Sequence, residues 1–204
     1  MSKAAATDIR VEKYDDGAQA RVDGALRDAS LVLLTHEHKD HEGGLVALND
    51  PAVFAHTRFN AAQLPGTELA SQMPWAKGLH LTASLTGNAP RAVAPGVVVI
   101  PAPSHTPGSQ MIFVRLADGR EYLFTGDIAT MARNWEQLRA RSRLVGTYFA
   151  AEDRREVYAW LRTIRALKAA ASRLQVVPGH DYEWIAFEEG RRGIKERFSP
   201  PAPN

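Results

Sequence analysis

Apolar residues in this chain come in short runs separated by turn-formers, with one longer stretch at helical spacing. Leu31-Val32-Leu33-Leu34, Val97-Val98-Val99-Ile100, Met111-Ile112-Phe113-Val114, Tyr122-Leu123-Phe124 and Leu174-Gln175-Val176-Val177 each predict a buried strand. Ala52-Val53-Phe54-Ala55 predicts another. Asp118-Gly119, between two of these runs, predicts a hairpin turn. Val157, Trp160, Leu161, Ile164 and Leu167 recur at three- and four-residue spacing, which predicts an amphipathic helix over residues 152–171. Shorter helices are expected to begin at Leu45, ending at Pro51, over residues 58–64, and from Tyr182 onward. Near the N-terminus, Ile9-Arg10-Val11-Glu12-Lys13-Tyr14 alternates like a strand and Asp15-Asp16-Gly17 reads as a turn. Residues 65–95 show no period and read as a long functional loop. Strands alternating with helices make the class mixed α/β.

Composition narrows the picture. The 204 residues suit one domain, residues 1–204, with an atypical N-terminal segment at 1–27 and a frayed tail at 199–204. Hydrophobic residues make up 45%, no run is long enough to span a bilayer, and the first residues lack the apolar core of a secretory signal. A cytoplasmic protein without a membrane partner is expected. Basic and acidic residues nearly cancel, at 25 and 23. The arginines of the C-terminal half are expected on solvated helix faces, with Glu136, Glu152, Asp153 and Glu156 between them, so a nucleic-acid partner is not expected. Cysteine is absent, which leaves only nitrogen and oxygen as metal ligands.

Candidate chemistry concentrates in the histidines. His36-Glu37-His38-Lys39-Asp40-His41 follows an apolar strand and precedes Gly43-Gly44. His36 and His38, two apart on extended chain, are able to share a metal; Asp40 and His41, past the bend, point toward a second. Ser104-His105-Thr106-Pro107-Gly108, Thr125-Gly126-Asp127 and Pro178-Gly179-His180-Asp181 each follow an apolar run and end in a turn carrying a further ligand type. The pattern reads as a two-metal hydrolytic site on loops at one sheet edge. Thr35 and Asp181 are candidates for holding imidazoles in the right tautomer. His56 and His80 match no ligand motif, with His56 expected at the surface or in the core, and Trp75, Trp135 and Trp184 are expected to pack.

These motifs, in this order, resemble the metallo-β-lactamase-fold hydrolases over residues 28–187. The resemblance implies a four-layer αββα sandwich with the metals between loops at one edge. It implies that His36, His38 and His105 bind one ion, that Asp40, His41 and His180 bind a second, and that Asp127 bridges the two. Two divalent ions are implied, zinc first, with iron and manganese also suited to the ligands. The implied nucleophile is a hydroxide shared by the metals, since coordination lowers the pKa of water from about 15.7 toward 7. Asp40 is the implied catalytic residue, accepting a hydrogen bond from that hydroxide and shuttling a proton.

Within the family, the lack of cysteine and the presence of Asp127 argue against β-lactam hydrolysis. Glyoxalase II shares the ligand set but adds a helical domain for which the stretch after His180 is short. The ending Gly179-His180-Asp181-Tyr182-Glu183 resembles the acyl-homoserine lactonases, although those carry a tyrosine where Thr130 stands here. Before His36 the family's N-terminal hairpin looks shortened, and an unfinished sheet edge would favour a homodimer. The expectation is hydrolysis of an ester, lactone or thioester of small size. The alternatives are a phosphodiesterase or nuclease gripping phosphate with Arg133, Arg139, Arg141 and Arg143, and a non-hydrolytic metal-binding or redox protein.

Overall fold

A computed structural model describes Lys3 and residues 14–187, the side chain of Phe187 excepted. The alternating segment at 9–13 and the tail at 199–204 lie outside the described residues. The chain divides into two compact units, one up to Thr86 and the other from Gly87.

The first unit opens with helix α1, Asp16–Asp28, where a turn is expected from sequence. The reason is local: Asp15 is the cap, and its side chain accepts a hydrogen bond from the Ala18 N–H. Strand β1, Val32–Leu33, leads into α2, Lys39–Leu48, which starts six residues before the expected Leu45 and takes in Gly43 and Gly44. The segment expected as a second strand is instead helix α3, Pro51–His56. Asp50 caps it through the Ala52 N–H, and Pro51 occupies the first turn, where its missing N–H costs nothing. Pro51 therefore starts a helix as well as following one. The strand comes just after, as β2, Thr57–Arg58, parallel to β1. Only a single 3-10 turn, Ala61–Gln63, forms within 58–64. Val32, Leu34, Leu45, Val53, Phe54 and Phe59 make this unit's core, with Trp75 packed against it.

The second unit is built on a five-stranded sheet in the order β3-β4-β5-β6-β7. Its strands are β3 (Arg91–Ala94), β4 (Val97–Pro101), β5 (Gln110–Arg115), β6 (Glu121–Gly126) and β7 (Gln175–Pro178). The Asp118-Gly119 turn joins β5 and β6 as an antiparallel hairpin, as the sequence predicts, with Gly119 at φ 82°. β7 lies parallel to β6. The crossover carries α4 (Ala132–Glu136), a π-helical segment (Leu144–Phe149) and α5 (Arg154–Ala170). α5 is the helix expected from the apolar periodicity; its Val157, Leu161 and Ile164 pack on Met111, Leu123 and Val176 of the sheet. Trp135 is buried in this core and Trp184, on α6 (Tyr182–Phe187), packs against it. Strand and helix content is thus mixed α/β; among the described residues the first unit contributes a sheet of two strands only. No helix of the described residues is long and apolar enough to cross a membrane.

Candidate metal centre

In the first unit the ligand types gather where β1 gives way to α2. The chain stays extended through His38, which caps α2 with φ −73° and ψ 152°. Helix geometry then folds Asp40 and His41 back into the first turn. His36 Nε2 lies 3.1 Å from His38 Nδ1, and the rings of His36 and His41 are 3.9 Å apart at their centroids. Asp40 Oδ2 is 3.5 Å from His41 Nε2. All four predicted residues of this segment are therefore brought together.

Thr35 sits where the sequence suggests. Its Oγ1 is 3.3 Å from His36 Nδ1 and 3.4 Å from His41 Nδ1. A hydroxyl oxygen that accepts from both Nδ1–H groups leaves both Nε2 lone pairs for a cation. Two nitrogens bound tetrahedrally at about 2.0–2.1 Å from zinc stand about 3.4 Å apart, close to the His36–His38 spacing. The donor chemistry and spacing fit a divalent ion.

Beneath this segment lies a pair of acids that the sequence does not mark. Glu37 and Glu42 are both buried. Burial, then the nearby Glu37 charge, pushes the Glu42 carboxyl up to about 9, so it is protonated at neutral pH.

In the second unit three separate turns supply His105, Asp127 and His180. β6 ends at Gly126, whose φ of 50° turns the chain so that Asp127 heads a short 3-10 turn. Asp127 Oδ1 lies 3.2 Å from His180 Nε2, and Oδ2 lies 3.7 Å from His105 Nε2. Each carboxylate oxygen faces a different imidazole, the arrangement a shared carboxylate ligand needs. Gly179 makes the approach possible: a Cβ there would stand 2.4 Å from Asp127 Oδ1.

Two residues of this cluster hold places that sequence reasoning does not assign them. Glu152, expected on a solvated face, is buried, and its Oε2 is 3.3 Å from His105 Nδ1. That contact fixes a tautomer with Nε2 free for a metal. Arg141 donates from Nη1 to Glu152 Oε2 and from Nη2 to Asp127 Oδ2, both at 3.0 Å, and Nη2 also donates to Thr130 Oγ1. Burial alone would raise the Glu152 carboxyl, but the His105 hydrogen bond and the Arg141 charge outweigh it and hold it below the ordinary range. No motif flags either residue. Asp153 caps α5, which therefore begins at Arg154 and leaves Glu152 outside the helix expected over residues 152–171.

Other candidates resolve as follows. Asp181 holds backbone rather than an imidazole, accepting from the Ala132 N–H at 2.9 Å and the Trp184 N–H at 3.3 Å. His56 Nδ1 pairs with the Ala29 carbonyl at 3.1 Å, and His80 is exposed. Trp75 donates to the Ala70 carbonyl at 2.8 Å. Arg133, on α4, and Arg139 are exposed, as expected, and with the more buried Arg141 they also line a cavity beside Thr130.

The family described as beta-lactamase superfamily domain matches residues 6–180. No curated protein matches the chain. Among solved structures, an N-acyl homoserine lactone hydrolase with N-hexanoyl-L-homoserine at its catalytic metal center shares 19% identity. The alignment covers 83% of this chain and 63% of that one, with a TM-score of 0.61. A quorum-quenching N-acyl homoserine lactone lactonase shares 21% identity over 81% of this chain and 64% of its own, with a TM-score of 0.59. A probable metal-dependent hydrolase from Staphylococcus aureus shares 16% over 89% and 66%, with a TM-score of 0.60. The chain thus spans less than two thirds of the length of these structures, and at such identities the likeness is one of fold. With the family matched over most of its length, the chain belongs to the beta-lactamase superfamily and has the metallo-β-lactamase type of fold.

Proposed function

We propose that this protein is a metal-dependent hydrolase of ester, lactone or thioester bonds, with a centre of two divalent ions, zinc first. Family membership and the oxygen-and-nitrogen donor sets of the two units support the reading. The observation that carries it is the Asp127 carboxylate, whose two oxygens each face a different histidine, His105 and His180. Under this reading His36, His38 and His105 hold one ion, Asp40, His41 and His180 hold the other, and Asp127 is common to both. Bound there, the ions would supply Lewis acidity and a water acidic enough to ionise near neutral pH.

The chain's own residues then have distinct tasks. Thr35 and Glu152 fix imidazole tautomers. Arg141 balances the charge of Asp127 and Glu152 and keeps both carboxylates in place. In hydrolysis a water oxygen bonds to the acyl carbon, the acyl carbon–oxygen or carbon–sulfur bond breaks, and a proton reaches the leaving atom. Asp40, half-exposed beside His41, is the residue assigned to carry that proton. The homoserine lactone compounds named for the similar structures make lactones the first substrates to try.

The test combines metal analysis with kinetics. Protein loaded with zinc should contain about two ions per chain and turn over at least one of a panel of lactones, aryl esters and thioesters. His36→Ala and Asp127→Ala should each lower the zinc content and abolish turnover. A protein that binds fewer than two ions, or binds two and hydrolyses nothing on the panel, would refute the reading.

A further inference from the structure

Next to the carboxylate that carries the proposed function lies a cavity of about 360 Å³, whose described lining belongs to the second unit. Among the described residues three arginines line it, Arg133, Arg139 and Arg141, and no carboxylate does. Arg141 is committed to Asp127, Glu152 and Thr130. Arg133 and Arg139 are exposed, and their guanidinium groups make no hydrogen bond or ion pair with the described residues. Without a protein counter-charge, these two guanidinium groups are available to an anionic ligand.

The walls of this cavity are fastened. Asn134 Oδ1 accepts from the Met131 N–H at 2.7 Å, and its Nδ2 donates to the Arg139 carbonyl at 2.6 Å. The Arg139 N–H donates to the Asn134 carbonyl at 3.0 Å. This lacing ties the stretch bearing Arg133 to the stretch bearing Arg139. On the other side, Arg154 Nη1 donates to the carbonyls of Arg141 at 2.8 Å and Ser142 at 3.1 Å. These bonds link the backbone segments that carry the three arginines.

We propose that this cavity binds an anionic group of the substrate, a carboxylate or phosphate, through Arg133 and Arg139, while the bond to be cleaved lies toward Asp127. The proposal rests on the hydrolase reading and narrows its substrates to anionic esters, lactones or thioesters. Guanidinium groups match both anions with paired N–H donors. The volume suits such a group with a short carbon chain. Arg141, touching both the cavity and Asp127, joins the anion site to the reacting end.

Two measurements on the zinc-loaded full chain test this. In the first, calorimetry follows binding of phenylphosphonate and phenylacetate, with benzyl alcohol as the neutral control. At least one anion should bind and the alcohol should not; the tighter anion identifies the headgroup. The double variant Arg133→Gln/Arg139→Gln should weaken anion binding by at least about tenfold. Arg133→Lys/Arg139→Lys should retain part of it, which guards against a loss that comes from misfolding. Phosphonate binding unchanged in the glutamine variant but lost with EDTA would put the anion on metal and overturn the proposal. In the second measurement, kcat/KM is compared for the p-nitrophenyl esters of succinate and butyrate. Wild type should prefer the anionic ester, and the glutamine variant should lose that preference. A preference that survives both substitutions, or none in wild type, overturns the proposal. Failure to hydrolyse either ester would strike the hydrolase reading alone, because calorimetry still decides the pocket.

Discussion

The two units reach similar ligand clusters by opposite routes. In the first, four ligand types sit within six consecutive residues, and the change from strand to helix at His38 is enough to bring them together. In the second, His105, Asp127 and His180 come from three turns far apart in sequence, and only a correctly registered sheet makes them neighbours. A local cluster needs local geometry; a distributed one needs the whole scaffold. The distributed cluster also carries a charge-balancing network in Arg141 and Glu152, whereas the Thr35 hydroxyl lies against two imidazoles of the local one.

This contrast breaks most sharply at Asp127. Asp127→Ala should cut kcat/KM by about a thousandfold or more, since several kcal/mol of metal organisation are lost, while circular dichroism stays native. Glu152→Gln removes the acceptor charge for His105 and Arg141. It should weaken zinc binding by about 10–100-fold in a chelator competition, and an unchanged affinity would deny Glu152 its role. Thr35→Val should cost less, about a few-fold in the same assay, because only one hydroxyl is lost.

Glu42 offers a pH test of the local side. Its folded-state pKa is raised from 4.5 to about 9. The unfolded chain therefore binds fewer protons than the folded one across that window, and stability falls as pH rises through it. Below 4.5 both states are protonated and the penalty vanishes. Thermal unfolding at pH 5 and pH 8.5 should show Glu42→Gln gaining stability over wild type at the higher pH and little at the lower. Equal gains at both would exclude a buried neutral carboxyl.

The same contrast explains what could be read from the sequence. The segment from His36 to His41 announces itself because its ligands are adjacent. The strands β4 to β7 and helix α5 were legible because buried runs and helical spacing are themselves packing patterns. α1 was not: it has no buried residue among Asp16–Asp28, so no apolar period marks it. The run at residues 52–55 was ambiguous because four apolar residues suit a strand or a helix; Asp50 and Pro51 decide it. α2 hides its start behind polar ligands and two glycines. Arg141 and Glu152 are illegible for a different reason. Their partners lie 11 to 47 positions away and are chosen by loop paths, not by any local pattern.

β6 and β7 run parallel, so both strands leave the sheet at the same end, where Gly126 pairs with Pro178 and the next turns present Asp127 and His180. Sliding β7 by one residue would carry position 180 about 3.3 Å along the strand direction and swap which faces its side chains occupy. A four-residue strand thus works as a gauge block between the two groups. Single-residue insertions or deletions between Gln175 and Pro178 should spoil the spacing even where the polypeptide still folds.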